Sequence, residues 1–170
     1  MALQLFKIAD VLVDSPVSSI TLSSIPQGYT DLMLSVSLRS STEDVANNTW
    51  ITFNGVGGTS YSSRVLYSSS GTTIVSGAEA GIARTAQIFS NSSTSPANTF
   101  GNMSIYIPNY TSSNWKSWSA DYICENTAAA CQIGMTAGQF ANTAAITSIN
   151  LAPYCCAWLA NSTVTLYGVL

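Results

Sequence analysis

The sequence has no histidine and little charge: five Lys and Arg and eight Asp and Glu make up 8% of its 170 residues. Without His, a Ser or Cys nucleophile lacks its usual base, and a cysteine pair lacks its commonest partner at zinc. The cations Lys7, Arg39, Arg64, Arg84 and Lys116 are scattered and the net charge is -3, so no basic patch for a nucleic-acid backbone is expected. No 18-residue apolar run occurs. The opening MALQLFKIADVLVDSP lacks the basic region, unbroken apolar run and cleavage site of a signal peptide. The reading is of a protein made in a cytoplasm, with no membrane partner.

Other chemistry is equally thin. There is no phosphate-binding glycine loop, no dinucleotide fingerprint and no calcium-loop spacing, so no cofactor is expected. Among the carboxylates only Glu43 and Asp44 are adjacent, in the apparent loop RSSTEDVANN, and no convergent pair of acids suggests itself. The expectation is a protein that is not an enzyme.

What is present in quantity is hydroxyl and amide. Ser and Thr outnumber the charged residues more than threefold. Through them runs an alternation of apolar and polar residues with period two. It is clearest in YTDLMLSVSLR, residues 29–39, where Leu32, Leu34, Val36 and Leu38 share one face. Further strands are expected over 3–8, 19–24, 49–54, 62–68, 84–89, 102–108, 115–124, 131–137, 145–151 and 163–169. Turn signals divide them, among them Ile-Pro-Gln-Gly at 25–28 and Asn-Gly-Val-Gly-Gly at 54–58. Residues 137–145 suit a short helix or a loop equally. This predicts an all-β, single-domain antiparallel β-sandwich over 1–170, its core including Leu32, Leu34, Val36, Leu38, Ile105, Tyr122, Ile133, Ile149, Val164 and Leu166.

Two pairs of cysteines need an account. Cys124 and Cys131 flank the loop ENTAAA. If they face one another, Tyr122 faces Ile133, Ala120 faces Met135 and Trp118 faces Ala137, all on one largely apolar side. That register allows either a disulfide or two buried thiols. Cys155 and Cys156, in APYCCAW, are adjacent. On a strand they would point to opposite faces, a bridge would need a strained ring, and the spacing is wrong for zinc. They are read as packing atoms and a Pro-led turn before the last strand. The same alternation places Trp115, Tyr106 and Tyr110 outward, as candidates for a subunit interface or a sugar-stacking platform.

Four segments, SSIPQGYTDLMLSVSLRS, WITFNGVGGTSYSSRVLYSSSG, MSIYIPNYTSSNWKSWSADYICEN and AITSINLAPYCCAWLANSTVTLYGVL, together resemble small virion proteins of tailed bacteriophages. The resemblance spans nearly the whole chain, although the cysteines depart from it. It implies a jelly-roll-like sandwich, commonly a homotrimer, carried on the virion after synthesis in the host cytoplasm. Its role would be as a capsid decoration (cement) protein with the major capsid protein and other virion proteins as partners. The alternative is a tail or fibre component that binds host-surface polysaccharide.

Overall fold

A computed structural model describes residues 4–69, 73–85, 87–126 and 132–170. It is all-β, two antiparallel sheets packed as a sandwich, with no helix among the described residues. The strands are β1 (Leu5–Leu12), β2 (Ile20–Leu22), β3 (Asp31–Leu38), β4 (Ala46–Phe53), β5 (Tyr61–Ser69), β6 (Thr73–Ile82), β7 (Phe89–Asn91), β8 (Gly101–Ile107), β9 (Lys116–Cys124), β10 (Gln132–Phe140), β11 (Ile149–Pro153) and β12 (Thr163–Val169).

The larger sheet runs β1-β12-β3-β8-β9-β10-β5-β6 and the smaller β2-β11-β4-β7. Set aside the hairpins β5–β6 and β9–β10, and two four-stranded sheets remain, β1-β12-β3-β8 facing β2-β11-β4-β7. That is jelly-roll order, with the chain crossing between sheets at nearly every step. The two hairpins are insertions into that frame. They pair with each other through β5 and β10, and together they extend one sheet by four strands beyond β8.

Alternation explains the core. In β3, Leu32, Leu34, Val36 and Leu38 are all buried, and they meet Ile105, Ile107, Val164 and Leu166 on the adjoining strands. Opposite them the smaller sheet contributes Ile20, Leu22, Ile51, Phe53, Ile149 and Leu151. At the inner face of the extension the smaller sheet contributes β7, which packs against β9. There Phe89 bridges Tyr67 and Tyr122, and Thr136 donates its hydroxyl to the Gln87 carbonyl.

The structure corrects several expectations. β6 was not foreseen, because TIVSGAEAGI is rich in small residues and buries no side chain fully. Of the strand expected over 84–89, residue 86 lies outside the described residues, Thr85 makes only an isolated bridge with Ile51, and β7 begins only at Phe89. Residues 137–140 complete β10, and no helix follows. Most consequentially, the β9–β10 register is one residue away from the expected one. Gly134 faces Tyr122, Thr136 faces Ala120, Gly138 faces Trp118, and Gln132 faces Cys124. A slip of one residue turns a whole strand over. Ile133, expected in the core, is therefore 56% exposed, and Met135 points outward with it.

Two of the five cations are structural. Arg39 is buried, and its guanidinium donates to the carbonyls of Ser93, Ser95, Pro96 and Thr99. Lys116 is buried too, and its ammonium donates to the carbonyls of Ser112, Asn142 and Ala144. Removal from water lowers the Lys116 pKa from its ordinary value. Each cation gathers loop carbonyls that have no strand partner.

Candidate interaction surfaces

Of the three aromatics expected outward, two are. Trp115, just before β9, is 58% exposed. Tyr106 lies on the outer face of β8, but its hydroxyl donates to Asp31, whose other carboxylate oxygen accepts the Asn109 N–H at 2.7 Å. The hydrogen bond to Asp31 raises the phenol's pKa above its ordinary value, and burial adds to it. Tyr110 is a correction: it is fully buried, donates its hydroxyl to the Pro26 carbonyl and cannot touch a partner. The period-two pattern of β8 stops at Ile107. The turn that follows, with Asn109 at a φ of 49°, resets the direction of every side chain after it.

Cys124 ends β9 on its buried face. Its expected neighbour Cys131 lies outside the described residues, so their pairing is not described, but the position opposite Cys124 in the ladder belongs to Gln132. Cys155 and Cys156 are not packing residues. Both are exposed, on a bend that follows Pro153 at the end of β11.

A contiguous outward-facing apolar group lies on the sheet extension. Across it, Ile123 faces Ile133, Ile133 faces Ser68, and Ser68 faces Ile74, which forms one row. The next row holds Asp121, Met135, Leu66 and Ser76. Leu66, Ile74, Ile123, Ile133 and Met135 are each between 47% and 69% exposed. They surround a depression of about 440 Å³ whose only charged lining residue is Asp121. Single exposed apolar residues are ordinary, whereas five in two adjoining rows form a contiguous patch of the kind that marks contact with another protein. β6, next to this patch, is the sheet's edge and pairs on one side only.

A second cleft, of about 360 Å³, is lined by Asn48, Trp50, Glu79, Ile82, Arg84 and Tyr154. The Arg84 guanidinium sits 3.3 Å from the Trp50 ring centroid, and the exposed Tyr154 meets Trp50 edge-on at 5.2 Å. Amide, carboxylate and guanidinium around two aromatic rings are groups suited to a polyhydroxylated ligand. These residues come from β4, β6, the bend just after β6 and the bend after β11, so no local sequence pattern joins them. Among the described residues, no group of three or more Cys, Asp or Glu could hold a metal ion.

Comparison with models of known protein families and with curated proteins gives no match to this chain.

Proposed function

We propose that this chain is a structural protein of a bacteriophage virion, a decoration (cement) protein whose copies, as homotrimers, clamp neighbouring subunits of the major capsid protein. The observation that carries this reading is the apolar end of the sheet extension. Burying it against another copy of the chain would remove five large side chains from water. The patch has one charge, and a net charge of -3 over the whole chain gives copies little mutual repulsion. It also adjoins the unpaired edge of β6, so apolar contact and strand edge offer one continuous surface for a heterologous, ring-closing interface. The resemblance of the four quoted segments to phage virion proteins supports the same reading, as does the jelly-roll frame. Decoration relies on many repeated weak contacts, for which a hydroxyl-rich, charge-poor surface is suited.

A second reading, a tail or fibre component that binds host polysaccharide, is favoured by the Trp50–Tyr154 cleft. One experiment separates them. Particles lacking a cement protein assemble but lose their genome at lower temperature or salt. Particles lacking a receptor-binding part are as stable as wild type yet fail to adsorb, and Trp50→Ala or Trp115→Ala reproduces that failure. Stable, fully adsorbing particles without the protein would defeat both readings.

A further inference from the structure

The adjacent cysteines Cys155 and Cys156 have their Sγ atoms 2.8 Å apart. That is under an ångström beyond the about 2.05 Å of a formed disulfide. On a strand, neighbouring side chains diverge and such a pair could not meet. Here Pro153 ends β11 and Cys156 takes a φ of 74°, so the chain bends and both thiols fall on one side. Non-glycine residues seldom adopt that backbone conformation, and the bend is held from both flanks. The Tyr154 N–H donates to the Asn48 carbonyl at 2.9 Å, and the Ala157 N–H donates to Ser41 Oγ at 3.1 Å. The Thr42 hydroxyl lies 3.3 Å from the Cys155 carbonyl oxygen and 3.5 Å from its Sγ, and its one hydrogen is shared between the two acceptors. Both thiols are open to reagents.

We propose that Cys155 and Cys156 are a reversible dithiol–disulfide couple, closed by small-molecule disulfides of the glutathione type and opened by thiols. The Cys155 thiolate attacks one sulfur of the reagent, forms a mixed disulfide and expels one thiolate. The Cys156 sulfur, giving up its proton, then attacks the Cys155 sulfur and expels the second. Two protein thiols are oxidised by two electrons, one reagent disulfide is reduced to two thiols, and the two protons leave with them. Cys155 is suited to strike first. The hydrogen bond from Cys156, and then that from Thr42, hold its pKa below the ordinary thiol value. Neighbouring Cα atoms are about 3.8 Å apart across a trans peptide, closer than in ordinary disulfides, so the eight-membered ring is strained and opens easily. Closure also constrains the backbone beside Tyr154, and so acts on one wall of the Trp50 cleft.

The test treats the whole protein with oxidised glutathione, blocks remaining thiols in acid, and maps the peptide containing 155–156 by mass. The expected product has lost two hydrogens, carries no glutathione and is restored by dithiothreitol. In Cys156→Ser the reaction should stop at a stable glutathione adduct on Cys155. Phenylarsine oxide, which needs two sulfurs, should label the wild-type peptide and neither Cys155→Ser nor Cys156→Ser. A persistent glutathione adduct on the wild-type peptide, a disulfide between two chains, or an unmodified peptide would each overturn the proposal. The substituted positions are exposed, and circular dichroism verifies that the variants fold.

Discussion

Gly138 lies directly across from Trp118 in the β9–β10 ladder, and the indole fills the space that a side chain at 138 would need. Four residues along the strand the arrangement repeats, with Gly134 under the Tyr122 ring. Both glycines have ordinary strand backbones, so it is the close approach that demands them. The two pairs fix the register of the inserted hairpin. Moved by one residue, the rings would lie on Ala137 and Ile133, and the sheet could not close under them.

Gly138→Ala should therefore cost about 1–3 kcal/mol, the usual range for overpacking. Chemical denaturation measures it. Trp118→Leu in the same background should recover part of the loss, since the two sites share one volume. Equal costs with and without Trp118 would show that the ring is not what excludes the methyl group.

Leu34 sits in the middle of β3 with no exposure, between Ile105 and Leu166. Leu34→Ala should lower stability by about 2–5 kcal/mol, through lost transfer free energy and an unfilled cavity. A loss under about 1 kcal/mol in thermal or denaturant unfolding would argue against this packing.

Arg39→Met removes a guanidinium that holds four carbonyls of the segment between β7 and β8. The loss should be at least about 1.5–3 kcal/mol, the range for one hydrogen bond to a charged group. Amide exchange should quicken over residues 92–99 before the rest of the sandwich. Arg39→Lys should rescue little, because one ammonium cannot reproduce the fork of donors.

Ile133→Glu and Met135→Glu should leave monomer stability within about 0.5 kcal/mol, since both side chains already face water. If copies associate through this patch as proposed, each change should abolish the trimer in light scattering and exclude the protein from particles. A trimer that survives both changes would place the interface elsewhere on the molecule.

The legible parts of the fold were those where side-chain size alternates. Leu32 to Leu38 declared a strand and its buried face, and the same pattern gave Ile105, Val164 and Leu166. β6 escaped because Gly77, Ala78, Ala80 and Gly81 carry no such contrast. Two rules of thumb failed for identifiable reasons. Setting the β9–β10 register from the cysteines placed it one residue off, because the rings of Trp118 and Tyr122 need Gly138 and Gly134 across from them. Strand parity was carried past its end at Tyr110 and at Cys155, where positive φ at Asn109 and Cys156 breaks it. The Trp50–Arg84–Tyr154 cluster was beyond reach, since only the tertiary fold unites residues so distant in sequence.

The place of β12 bears on how the molecule comes into being. Residues 163–169 lie between β1 and β3, pairing with both. As the chain is synthesised, those two strands emerge long before their shared neighbour. Until then each presents an unsatisfied ladder, able to recruit a strand from another nascent chain. Its contacts are dominated by partners far apart along the chain, which slows folding further. The hazard is greatest before β12 has been made, and a chaperone that shields β1 and β3 would raise the yield more than any gain in final stability.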